Sequence, residues 1–360
     1  MEKTAFLLLE NGTLIEGKSF GAVKEAIGEI VFNTGMVGYL NTLTDPCYCG
    51  QIVMQTFPLI GNYGVIPEEI EGAVPFLSAY IVRDWCQEPS NFRCRGQIDA
   101  FLKKHGIPGL YGIDTRALTR ILRTEGVMNA KIIYSKDQME ASLAQLKEYR
   151  VEKAVAAVTD GVRKETAPQV DEKYRVVLWN FGAKKHLERE LTVRGCRVIE
   201  MPADSSADAI LAEKPDGILI SNGPGDPAEN ADAVAALATL CEKKLPVFGI
   251  GLGHQLLALA NGGKTEKLKF GHRGANQPAM ELATGRVFIT AQNHGYVVSD
   301  KDLPANADVT FVNGNDRTCE GLSYRDLPAF SIQFMPESSD SPHNTSFFYD
   351  QFVAMMKEGK

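Results

Sequence analysis

The stretch Pro246-Val-Phe-Gly-Ile-Gly-Leu-Gly-His-Gln-Leu-Leu-Ala-Leu-Ala260 passes from an apolar run to a helical pattern across three closely spaced glycines. Pro246–Ile250 reads as a short buried strand and His254–Ala260 as the helix that follows it. A dinucleotide-binding loop would need a third glycine three residues after the second, where this chain has His254, and it would open the first βα unit rather than lie about 75 residues into its domain. The spacing suits a sharp strand-to-helix turn instead, the nucleophile elbow, whose apex residue is held in a strained conformation and presented to substrate. The apex here is Gly251, which has no side chain and cannot be a nucleophile.

Working outward, the same rhythm extends on the N-terminal side. Strands are expected at Val176–Trp179, Arg197–Met201 and Gly217–Ile220, and helices at Lys184–Arg194, Ala207–Glu213 and Asp232–Lys243. Leu187 and Leu191 lie four apart on one helix face, and Gly195 closes that helix. Regular strand–helix alternation predicts a mostly parallel sheet covered by helices, with ligands at the C-terminal ends of its strands. The first part of the chain reads differently, as a β-rich mixed region. It has apolar runs at Ala5–Leu9, Glu29–Asn33 and Gln51–Gln55, helices at Ile98–His105, Thr115–Glu125 and Gln138–Lys147, and a strand at Val127–Tyr134. Hydrophobic periodicity fails between the two regions. The expected organisation is therefore a domain over residues 1–150, a linker over 151–173 and a second domain over 174–360.

With 38 Lys and Arg against 45 Asp and Glu, the net charge of −7 argues against a nucleic-acid partner. No apolar run approaches the roughly 18 residues of a membrane span, and the short apolar run near the start is too brief for a signal-peptide core. The seven cysteines include no CxxC pair, and Cys47-Tyr-Cys49 is too tight for zinc, so a reducing cytoplasm with no metal site is expected.

Val247-Phe-Gly-Ile-Gly-Leu-Gly-His-Gln255 resembles the nucleophile elbow of class I glutamine amidotransferases, in which a cysteine stands at the apex. The wider chain resembles the small subunit of carbamoyl phosphate synthetase. Ser221-Asn-Gly-Pro-Gly-Asp-Pro227 is similar to that family's oxyanion segment. Phe270-Gly-His-Arg-Gly-Ala-Asn276 and Gln292-Asn-His-Gly295 also match, as does Glu29-Ile-Val-Phe-Asn-Thr-Gly-Met-Val-Gly-Tyr39 in a region that other class I amidotransferases lack. The resemblance implies an N-terminal mixed β-rich domain followed by an α/β amidotransferase domain. It also implies a large subunit that carries ATP and magnesium, with no cofactor in this chain, and a role in pyrimidine or arginine biosynthesis. In the family reaction a Cys thiolate attacks the glutamine amide, a Glu-oriented His moves protons, and backbone N–H groups hold the oxyanion.

Two of the three triad positions depart from that pattern. The family cysteine is Gly251, and the family histidine is Met335 in Phe334-Met-Pro-Glu337, so only Glu337 remains. Cys47 stands where the family has a serine that touches glutamine, and Ser338–Pro342 also differs from the usual small-residue run. The other glutamine-contacting positions implied by the resemblance are kept: Gly223, Gly225, Leu252, Gln255, Asn293, Gly295 and Tyr296. His254 opens a helix, His294 lies in the glutamine-contacting loop and His343 is expected at the surface, so none replaces the base. The expectation is a small subunit without glutaminase activity, supporting synthesis from free ammonia. The alternative is a glutamine-binding regulatory protein that holds glutamine without cleaving it. An active glutaminase of unusual mechanism would need a nucleophile that the sequence does not supply.

Overall fold

The computed structural model describes residues 3–72, 74–337 and 344–358. The chain divides into two compact units, one of Met1–Glu152 with His272–Gly274 and one of Lys153–Gly271 with Ala275–Lys360.

The first unit is built on β1 (Thr4–Leu9), β2 (Leu14–Gly21), β3 (Ala26–Asn33), β4 (Gln51–Gln55), β5 (Leu59–Ile60), β6 (Ala79–Ile81), β7 (Asp84–Trp85), β8 (Pro108–Tyr111) and β9 (Met128–Ile133). Seven of these close a barrel in the order β1-β2-β8-β6-β4-β3-β9. The run β3-β4-β6-β8 is parallel, with Val31 opposite Val53 and Val53 opposite Tyr80, and the remaining pairs are antiparallel. Closure leaves these strands no unpaired sheet edge. Val31, Val53 and Tyr80 pack with Tyr39 and Leu40 of α1 (Tyr39–Thr44) and with Ile98 and Leu102 of α2 (Ile98–Lys104). In α3 (Thr115–Glu125), the Asp114 side chain accepts a hydrogen bond from the Ala117 N–H, which satisfies a first-turn donor. That helix buries Leu118 and Leu122, and Gly126 ends it. α4 (Met139–Glu148) completes the unit, with Leu146 packed on Phe6, Leu8 and Ile133.

The stretch expected to be a linker carries structure. α5 (Ala154–Val158) is followed by β10 (Lys164–Thr166), which pairs antiparallel with β12 (Cys196–Pro202), placing Glu165 opposite Ile199. The ladder to β12 ties the segment down, and the charges that mask it in the sequence form ion pairs around it. Arg163 bonds Glu213 at 2.7 Å, and Arg197 reaches Glu165 at 3.0 Å and Glu172 at 2.6 Å.

The second unit alternates as the sequence predicts: β11 (Tyr174–Asn180), α6 (Lys185–Thr192), β12 (Cys196–Pro202), α7 (Ala207–Ala212), β13 (Gly217–Ile220), α8 (Ala231–Glu242), β14 (Val247–Ile250) and α9 (Leu252–Ala260). Then come the long strands β15 (Thr265–Glu281) and β16 (Val287–Val298), followed by β17 (Ala307–Asn313), β18 (Cys319–Tyr324), β19 (Ala329–Ile332) and α10 (Phe347–Glu358). The sheet order is β10-β12-β11-β13-β14-β19-β18-β17-β15-β16. Its centre, β12-β11-β13-β14-β19, is parallel, and the far side continues antiparallel through β18 and β17 to β15. Strands in this centre are apolar on both faces because both are covered. Val177, Trp179 and Ile218 face Leu237 and Leu240 of α8 and Leu256 and Leu257 of α9. Val176, Leu178 and Phe248 face Leu187 and Leu191 of α6 and Phe348 and Phe352 of α10. Among the described residues no helix is long and apolar enough to cross a membrane.

Candidate functional site

The turn between β14 and α9 has the geometry that the sequence predicts. Gly251 sits at φ 58°, ψ −110°, a conformation that residues with a side chain reach only under strain. Its N–H donates to the Ile332 carbonyl of β19 at 2.9 Å, which places the apex at the C-terminal ends of the parallel strands. The turn closes only because its flanks are small. A Cβ on Gly253 would collide with the Ile220 backbone, and one on Gly249 would come within 2.6 Å of the Gly253 carbonyl. A Cβ on Gly251 itself would lie 3.2 Å from the Asn222 Cβ.

The segment Ser221–Pro227 is drawn to this turn. Gly253 N–H donates to the Ser221 carbonyl at 3.1 Å, and the Ser221 hydroxyl accepts from the Phe181 N–H at 2.9 Å. Gly223 packs against the Leu252 side chain. Leu252 opens α9, so its N–H belongs to the first-turn donors that have no intrahelical acceptor. Gln255 is buried and fixed from two sides. Its amide nitrogen donates to the Tyr296 carbonyl at 2.7 Å and to Gln333 Oε1 at 2.8 Å. Asn293, Gly295 and Tyr296, implied to form a loop, lie inside strand β16 instead. The sequence around them is polar and broken by glycine, and the ladder to β15, not local apolar alternation, makes it a strand.

Met335 is buried, and its N–H bonds the Ala291 carbonyl at 2.9 Å. A thioether in that place offers no proton to move. Glu337 is also buried and accepts a hydrogen bond from the Tyr349 hydroxyl at 3.2 Å; burial and the neighbouring Glu337 charge raise the Tyr349 pKa well above its ordinary value. His254 points into the core. Its Nδ1 lies 2.8 Å from the Ser331 hydroxyl, and complete burial pushes its pKa down to about 3, so it stays neutral. Cys47 belongs to the barrel unit. It lies in the turn Pro46–Tyr48, with its N–H donated to Asp45 Oδ1 at 2.9 Å, and its thiol is buried. His343 and Ser338–Pro342 lie outside the described residues.

Three residues at this site were not singled out from sequence: Asn222 beside the apex, Ser331 beneath His254, and Gln333 against Gln255. Asn222 lies within Ser221–Pro227. Gln333 lies two residues before Met335, and its role depends on a contact from α9 that no local pattern reveals.

Against known proteins, the family model for glutamine amidotransferase class-I matches residues 177–355. The model for the carbamoyl-phosphate synthase small chain, CPSase domain, matches residues 7–132. The second unit is thus a class I glutamine amidotransferase domain. The carbamoyl phosphate synthase pyrimidine-specific small chain of Bacillus subtilis is 46% identical over 98% of this chain and 97% of its own length. The carbamoyl phosphate synthase small chain of Clostridium perfringens is 46% identical over 97% of this chain and 98% of its own length. That of Lactococcus lactis subsp. lactis is 42% identical over 98% of each. This chain belongs to the carbamoyl phosphate synthase small chain family.

Proposed function

We propose that this chain is the small subunit of a carbamoyl phosphate synthetase and that its own glutaminase chemistry is lost. The observation that carries the reading is Gly251 at the elbow apex, supported by Met335 at the position of the base. Hydrolysis of glutamine through a covalent intermediate needs a thiolate to attack the side-chain amide. It then needs a base that takes the thiol proton and returns it to the leaving ammonia. Gly251 offers no atom to form the bond, and Met335 accepts no proton at neutral pH. Glu337, whose family role is to orient a histidine, has the Tyr349 hydroxyl as a hydrogen-bonding neighbour. Synthesis in the complex would then draw on free ammonia. ATP and magnesium would be bound by the large subunit, this chain would contribute no cofactor, and the pair would work in the cytoplasm in pyrimidine or arginine biosynthesis.

A second reading is favoured by the intact backbone around the lost atoms. Gly223, Leu252 and Gln255 keep an ordered arrangement, so the chain would bind glutamine without cleaving it and act as a sensor. One set of measurements separates these readings from a residual glutaminase. Glutamine is titrated calorimetrically, ammonia release is assayed, and carbamoyl phosphate is measured with the large subunit on ammonium or on glutamine. Ammonium-driven synthesis that ignores glutamine supports the first reading, and glutamine binding without turnover supports the second. Glutamine-driven synthesis defeats both.

A further inference from the structure

Gln255 and Gln333 border the elbow apex and are joined through their side chains. Gln255 lies in the first turn of α9, where its N–H donates to the Gly251 carbonyl at 3.3 Å. Gln333 directly follows β19, and its backbone carbonyl would lie 3.8 Å from a Cβ on Gly251. Its N–H donates to the Glu320 carbonyl of β18 at 2.9 Å, which fixes the backbone from which its side chain projects. Both residues are buried.

A carboxamide has two ends, a nitrogen with two hydrogens to donate and an oxygen that accepts. The Gln255 nitrogen spends both hydrogens inside the protein, one on the Tyr296 carbonyl at 2.7 Å and one on Gln333 Oε1 at 2.8 Å. The end left to offer a ligand is the acceptor, Gln255 Oε1. The Tyr296 carbonyl is a backbone atom, and it is shared, since His294 Nδ1 lies 2.9 Å from it. Gln333 supplies its acceptor from a side chain. Its own amide nitrogen is buried and has no hydrogen-bond partner among the described residues. A buried donor left unmade is costly, and a flexible methionine would fill such a place without that cost. What the amide does that an apolar side chain would not is hold Gln255.

We propose that Gln333 is a positioning residue. It takes up the second hydrogen of the Gln255 amide, so that the site meets its ligand with an acceptor oxygen and selects one that carries a cationic N–H group, the α-ammonium of an amino acid. The inference rests on the reading above in which the chain holds glutamine. Gln333 acts through Gln255 and does not itself touch the ligand. Without its oxygen the Gln255 amide keeps one bond and turns about its last torsion, which is broad for a terminal amide. It then shows N–H to the ligand's ammonium for part of the time.

The test measures calorimetric binding of glutamine, and of 4-carbamoylbutanoate, the same molecule without its amino group, to the full chain, Gln333→Met and Gln333→Glu. The wild type should bind glutamine more tightly than the analogue. Gln333→Met should weaken glutamine by about tenfold, the scale of one hydrogen bond to a charged group, and the analogue by less than about twofold. Its melting temperature should not fall, because a buried unpaired donor has been removed. Gln333→Glu keeps an oxygen in the same place and should hold glutamine within about threefold of the wild type. Equal losses for both ligands in Gln333→Met mean general loosening of the site and overturn the inference, as does glutamine affinity that Gln333→Met leaves unchanged. A Gln333→Glu variant as weak as Gln333→Met overturns the acceptor role. A wild type that binds both ligands equally overturns the inference alone. A wild type that binds neither overturns it together with the glutamine-holding reading, and leaves synthesis from free ammonia standing.

Discussion

On the proposed reading, the turn at Ile250–Leu252 and the strand end at Gln333–Glu337 each lack the atom that would do chemistry, and they lack it differently. At the turn the backbone still holds the strained apex, φ 58°, ψ −110°, and only the side chain is missing. At the strand end a side chain is present, the buried Met335, with its backbone paired to Ala291. The first change removes a steric burden, because glycine reaches that conformation without a clashing Cβ. The second fills its place with an apolar group that packs. Neither disturbs the sheet that brings the two together. Geometry in this unit is held by backbone ladders and small residues, and the reactive atoms are dispensable to it.

The largest effect expected from this contrast concerns glutamine. Purified protein should release ammonia at least about 10⁶-fold more slowly than a relative with a complete triad, the order of loss on removing a nucleophile from a triad that acts as a unit. A rate within tenfold of such a relative would break the comparison at once. Restoring both positions should sharpen it. Gly251→Cys with Met335→His should exceed either single variant by about a hundredfold or more, since a positioned base contributes about 10²–10⁴. Single effects that multiply independently would mean that the two positions do not work together.

Two smaller effects probe the scaffold. Native His254, with a pKa near 3 against an ordinary 6.5, refuses a proton that the unfolded chain accepts. Its contribution is therefore complete above about pH 6.5 and is lost as pH falls from there toward 3. His254→Gln, measured by urea unfolding across that range, should flatten the acid side of the stability curve; an unchanged slope would remove His254 as its cause. The smallest effect belongs to the apex. Gly251→Ala should destabilise by about 1–3 kcal/mol through backbone strain, with the 3.2 Å approach to Asn222 adding to it. A variant more stable than the parent would refute strain at the apex. It follows that the restored cysteine of the double variant should come with a lower melting temperature.

The alternation from β11 to α9 was legible because each element carries its own periodicity and its own stop signal. Val176 and Val177 face opposite covered sides, and Gly195 follows α6. The elbow was legible for the same local reason. The barrel was not. β2 contains Gly17 and polar positions, β8 begins at Pro108 and includes Gly109, and each becomes a strand through partners distant in sequence, Ser19 opposite Leu110 and Tyr80 opposite Gly109. The antiparallel extension was hidden likewise, since β15 runs through Gly271, Gly274 and Pro278, poor strand formers that only a ladder sustains. Of the candidate site, glycine positions were readable, whereas the environments of Gln255 and His254 depend on Gln333, Tyr296 and Ser331 from separate strands.

The short strand β10 has a consequence beyond tethering a connection. Without it, β12 would present an open row of N–H and C=O groups beside Val198 and Ile199, a template on which another chain could add a strand. β10 occupies that row for three residues, Lys164–Thr166, too short and too charged to recruit a further partner. The segment that reads as a spacer thus covers the edge of β12 against strand addition.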